Sequence, residues 1–142
     1  CRLDFFGEGI ERERLEHYIL EHQLTNNIQL HGNQTAKKIE IAYTKSDFLI
    51  LPSKSEGWPK VVAEAMFWGA IPIVTKISCV PWMLDFGNRG VLLDVDLEKD
   101  VNIVLEKLND IKCLEEMSAN AQEWSQKYIL DDFESEIKKL IK

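Results

Sequence analysis

Short apolar runs alternate with helical patterns five times between Leu3 and Leu93, and this alternation leaves the chain very few folds. The strand-sized runs are Leu3–Phe6, Ile28–Leu30, Phe48–Leu51, Ile71–Val74 and Gly90–Leu93. Between them lie a helical stripe of Ile10, Leu15, Tyr18 and Ile19, a helix from an N-cap at Thr35 to Tyr43, and a helix Lys60–Trp68 ended by Gly69. Pro81–Asp85 supplies one further turn. Alternation at this spacing predicts right-handed crossovers and an α/β, Rossmann-like parallel sheet flanked by helices. Phe48–Leu51 is continuously apolar, as expected for a strand covered on both faces. After Asp94 the pattern is helical only: Leu97–Leu108, Leu114–Tyr128 and Phe133–Ile141. No linker or low-complexity segment interrupts it, so residues 1–142 read as one domain with a helical carboxyl-terminal tail.

At 142 residues such a domain hides its core well; chains of this size bury roughly 70% of the surface they expose when unfolded. The net charge of −7 argues against a nucleic-acid partner, which would need clustered Lys and Arg. Cys1, Cys79 and Cys113 have neither metal-ligand nor CxxC spacing, which favours free thiols. No apolar run reaches the ~18 to 20 residues of a membrane span. The chain starts without Met and already inside a strand pattern, CRLDFFGEG, so it reads as a piece of a longer protein.

The richest chemistry lies in LPSKSEGWPKVVAEAMFWGAIPIVT, Leu51 to Thr75. In an open parallel sheet, ligands bind beyond the carboxyl ends of the strands, where such a loop lies. Glu56 and Glu64 stand eight positions apart, one in the loop and one inside a helix of Val61, Val62, Met66 and Phe67. That company predicts that Glu64 is shielded and needs donors, either backbone groups of the fold or hydroxyls of a ligand. Gly57-Trp58-Pro59-Lys60 opens the helix, and such a start offers free N–H groups and a positive dipole end, with a Lys beside them, to an anion. Gly7-Glu8-Gly9 follows a strand, but Arg12 stands where a GxGxxG fingerprint needs its third glycine. That turn is either plain or faces a ligand. His17, His22 and His31 do not share a face, and no metal site is expected.

Read as one run, Pro52-Ser53, Glu56-Gly57, Pro59, Glu64-Ala65-Met66, Gly69 and Pro72-Ile73-Val74 resemble the donor-binding segment of the retaining, GT-B-fold glycosyltransferases of family 4. Phe6-Gly7-Glu8-Gly9, Leu30-His31-Gly32, Ser46-Asp47 and Gly90-Val91-Leu92 fall where that family has its other landmarks. The resemblance implies the carboxyl-terminal, donor-binding half of a hexosyltransferase, with the amino-terminal acceptor domain and the first strand-helix unit absent. It implies that Glu64 holds the ribose and that Glu56 contacts the donor sugar as the catalytic carboxylate. The stretch Gly57, Trp58, Pro59, Lys60, Val61 and Val62 would bind the substrate, its N–H groups facing phosphates or sugar. Gly7, Gly9, Asn33 and Gln34 are the implied further nucleotide contacts.

The implied partners are a UDP-, GDP- or ADP-linked sugar and, through the absent domain, a glycan or lipid-linked acceptor. No cofactor or metal is implied. The implied setting is polysaccharide or glycoconjugate assembly in the cytoplasm, with peripheral contact at the inner membrane surface through the absent domain. One departure stands out: the family often has Pro-Glu where this chain has Pro81-Trp82. Competing readings are a related GT-B epimerase or phosphorylase, or a Rossmann-like module kept for binding alone.

Overall fold

One strand, β4 (Ile71–Thr75), borders both clusters of the core, and all five of its residues are buried. The computed structural model describes residues 1–127 and 130–140, which fall into two compact units, 1–42 and 43–142. In the second unit β3 (Phe48–Leu51) and β5 (Val91–Leu93) flank β4, both parallel to it, with Phe48 opposite Ile71 and Ile73 opposite Val91. Side chains alternate across the pleat, so β4 feeds two clusters. Val74 packs with Val62 and Met66 of α3 (Lys60–Phe67), Val80 and Met83 of α4 (Val80–Met83), Leu84, and Ala121 and Trp124 of α6 (Ile111–Ser125). Ile71 and Ile73 pack with Val91, Leu93 and Met117, against Ile103 and Val104 of α5 (Leu97–Leu108).

Pro72 sits in the central strand although it removes a ladder donor there. Gly90, just before β5, lets the neighbouring strand come close: a Cβ at that position would lie 2.5 Å from the Pro72 carbonyl oxygen. Strand β3 departs from the sequence expectation. Leu49 and Leu51 meet the first cluster and Phe48 the second, but Ile50 is 49% exposed because β3 is an outer strand of this sheet.

Helix α3 ends in a Schellman motif. The Ala70 N–H donates to Ala65 O, the Gly69 N–H donates to Met66 O, and Gly69 adopts φ 85. From α6, Ser118 Oγ donates to Gly69 O, and Gln122 and Gln126 both donate to Phe67 O. The tail follows its predicted order with shifted bounds. Asp110 accepts from Cys113 N at 3.0 Å, so its cap starts α6 at Ile111 rather than Leu114. Tyr128 and Ile141 lie outside the described residues, and α7 runs Leu130–Leu140. Among the described residues no helix is long and apolar enough to cross a membrane.

In the first unit β1 (Leu3–Phe5) pairs in parallel with β2 (Ile28–Leu30), joined through α1 (Arg12–Glu21). The α1 stripe starts later than expected: Ile10 is 98% exposed in the turn closed by Arg12 N–H donating to Gly9 O, while Ile19 is buried. Helix α2 (Ala36–Tyr43) follows directly after Thr35.

Candidate functional site

The loop after β3 enters α3 through Pro59, whose fixed φ of −75° and ψ of 91° set the helix start without any side chain capping it. The first bond of the helix runs from Val62 N–H to Pro59 O at 3.0 Å. The Val62 amide is therefore engaged within the fold, and its side chain is fully buried. Among the described residues, the N–H groups of Trp58, Lys60 and Val61 donate to no backbone carbonyl. Uncapped amides at the positive end of the dipole, beside the exposed Lys60 ammonium, make this turn receptive to an anion.

The same one-sided packing decides where Glu64 stands. Val62, Ala65 and Met66 are buried, which turns Lys60, Val61 and Glu64 outward. Glu64 is thus exposed, contrary to the shielding expected from its apolar neighbours, because those neighbours occupy the opposite face of the helix. Among the described residues it keeps one hydrogen-bond partner: Tyr43 Oη donates to Glu64 Oε2 at 3.5 Å. Burial, and then the nearby Glu64 charge, push the Tyr43 phenol up to about 12. A phenol whose native pKa exceeds its unfolded value of ~10 contributes stability that is complete below pH ~10 and lost as pH rises toward the native value. Tyrosinate absorbance should therefore show Tyr43 titrating late, near pH 12, and Tyr43→Phe should remove that step together with its share of the alkaline loss of stability.

Glu56 is half-buried in the loop that leads to this turn. The next residue is held from outside the loop: Ser78 Oγ and Cys79 Sγ, which follow β4, each donate to Gly57 O at 3.1 Å. Trp58 lies against Trp82 with ring centroids 6.2 Å apart, and Trp82 meets Trp124 edge-on at 5.7 Å. Arg89 lies over the Trp124 ring at 5.2 Å from its centroid and donates to Met83 O. Sequence reasoning missed Tyr43, Ser78 and Cys79. Ser78 and Cys79 could have been found from topology, since loops that follow adjacent parallel strands end side by side.

The first unit holds its own implied contacts. Gly7 adopts φ 115 and its N–H donates to Gly32 O at 2.8 Å, so the turn needs glycine there. Asn33 is exposed, but Gln34 is engaged at both ends, donating to His31 O and accepting from Lys38 Nζ. His31 stacks on Phe6 and bonds Asp4, whose carboxyl the Arg2 guanidinium and then His31 hold below its usual range.

Residues 1–124 match the family described as glycosyl transferases group 1. The chain belongs to that family. An uncharacterized glycosyltransferase of Methanocaldococcus jannaschii, MJ1178, is 25% identical over 123 residues, covering 86% of this chain and 35% of the relative. Two solved structures share the α/β fold. Sucrose-phosphate synthase from Thermosynechococcus elongatus has a TM-score of 0.81 at 20% identity, over 98% of this chain and 37% of its own. HepE of Anabaena, solved with UDP and glucose, has a TM-score of 0.82 at 19% identity, over 99% of this chain and 40% of its own. The chain thus spans 35–40% of the length of these three proteins. Within the group 1 glycosyl transferases, its parallel strands flanked by helices correspond to part of the GT-B fold.

Proposed function

We propose that this chain binds the sugar donor in a retaining, family 4 hexosyltransferase that uses a nucleotide-linked sugar. The reading is carried by the uncapped start of α3, where free amides and Lys60 adjoin the exposed carboxylate of Glu64. Glu64 takes the ribose hydroxyls, and Glu56 contacts the donor sugar as the catalytic carboxylate. The backbone from Gly57 to Val61 faces the diphosphate, with Trp58 and Pro59 shaping the turn and Val62 anchoring it. Gly7, Gly9, Asn33 and Gln34 are proposed nucleotide contacts on the loops of the first unit. Family membership and a neighbour solved with UDP and glucose support a nucleotide-sugar partner.

The chemistry follows from the charges. Cleaving the bond between sugar and diphosphate leaves negative charge on the departing phosphate. Fixed N–H dipoles and a cation stabilise that charge, a task that requires no metal. A carboxylate at Glu56 orients sugar hydroxyls and favours positive charge growing at the anomeric carbon. Retention would follow either from front-face attack assisted by the leaving phosphate or from a covalent intermediate. The product would be a polysaccharide or glycoconjugate, made in the cytoplasm on a glycan or lipid-linked acceptor held by the rest of the protein.

The test is calorimetric titration of UDP, GDP and ADP and their sugar derivatives. One nucleotide should bind, more tightly than its nucleoside. Binding of none, or equal binding of nucleotide and nucleoside, overturns the reading.

A further inference from the structure

Two side-chain donors converge on a single loop carbonyl, and nothing in the pairing of the strands requires it. Ser78 Oγ and Cys79 Sγ both reach Gly57 O at 3.1 Å. Three residues further on, the Trp82 ring lies against that of Trp58, the very next residue of the loop. Residues 78, 79 and 82 therefore grip one peptide unit, Gly57–Trp58, from its carbonyl and from its following side chain. The grip is held under strain. Ser78 adopts φ 49, a left-handed conformation unfavourable for any residue with a Cβ. Such strain persists only where surrounding contacts over-determine it. Trp58 and Trp82 stay 48% and 52% exposed, so the ring contact was not formed to seal a core.

The consequence follows from peptide geometry. The unit is planar and trans, so its N–H points away from its C=O. Pinning Gly57 O toward Ser78 and Cys79 aims the Trp58 N–H to the opposite side. That amide is among those left free beside the start of α3. We infer that Ser78, Cys79 and Trp82 are positioning residues that preorganise the Trp58 amide for a diphosphate at the start of α3. This rests on the donor-site reading above and names the residues that set its phosphate contact. Preorganised dipoles stabilise charge better than ones that must turn to meet it, so the brace acts on phosphate recognition and not on the nucleoside.

The arrangement has a distinctive signature. One carbonyl with two donors keeps its orientation when either is lost, so single substitutions should be mild and the double one disproportionate. The experiment measures UDP and uridine binding, with GDP and guanosine or ADP and adenosine in parallel. Ser78→Ala, Cys79→Ala and the double variant are compared with the wild-type chain, with thermal unfolding recorded for each. The double variant should lose about tenfold in nucleotide affinity, the scale of one to two lost hydrogen bonds. Its nucleoside affinity should be unchanged, and Cys79→Ser should bind like the wild type. Ser78→Gly keeps φ 49 accessible while removing the hydroxyl, and combined with Cys79→Ala it guards against a folding artefact. Undiminished nucleotide affinity in both double variants, or equal loss for nucleotide and nucleoside, overturns the brace. If the wild-type chain itself binds nucleotide no tighter than nucleoside, the donor-site reading falls and the brace with it.

Discussion

Glu64→Ala is expected to weaken nucleotide binding by about 10- to 100-fold, the scale of hydrogen bonds made to a charged group. The size of the effect follows from where the carboxylate stands. It is exposed on the outward face of α3, its one hydrogen-bond partner among the described residues is the Tyr43 hydroxyl, and that bond is long at 3.5 Å. A carboxylate held this loosely by the protein retains acceptor capacity for the paired hydroxyls of a ribose. Its removal strands no buried charge, so unfolding at neutral pH should move by no more than about 0.5 kcal/mol, as for other surface changes. Glu64→Gln keeps the shape and one strong acceptor and should fall between alanine and the wild type. Calorimetry with UDP, GDP and ADP reads the affinity, and a thermal melt reads the fold. An alanine variant that binds as the wild type does removes the ribose assignment.

Trp124→Ala should have the opposite profile, with a large loss of stability. Its indole is 9% exposed, sits in the cluster with Val62, Met66 and Val74, meets the edge of Trp82 and lies under Arg89. Truncation of a buried Trp costs about 3–5 kcal/mol through lost transfer energy and the cavity left behind. For a chain of this length that lowers the melting temperature by roughly 10 °C or more. Urea unfolding gives the free energy directly, and a midpoint within error of the wild type would show that α6 does not close the core through this side chain. Trp68→Ala is the matched control, since Trp68 is partly exposed and outside that cluster.

Much of the fold was legible because burial and period agree in these segments. Ile71–Val74 is apolar throughout and buried throughout, and Lys60–Phe67 begins at the residue after Pro59 and closes at Gly69. What could not be read is which way a residue turns once a helix has only one covered face. Glu64 has apolar neighbours on both sides in sequence, but Ala65 and Met66 point inward and Glu64 does not. Contacts made across the chain were equally hidden. Ser78 and Cys79 stand more than twenty residues from Gly57, and Tyr43 stands 21 from Glu64. No local pattern records such pairings. Only the order of strands β3 and β4 brings those loops together.

The bonds from α6 to the end of α3 also set a timetable. Ser118, Gln122 and Gln126 follow their acceptors at Gly69 and Phe67 by 49, 55 and 59 residues. On a ribosome adding about 5–20 residues per second, the helix bearing Glu64 emerges roughly 3–12 s before the residues that close it. During that interval Val62 and Met66, fully buried in the finished protein, have no α6 to cover them.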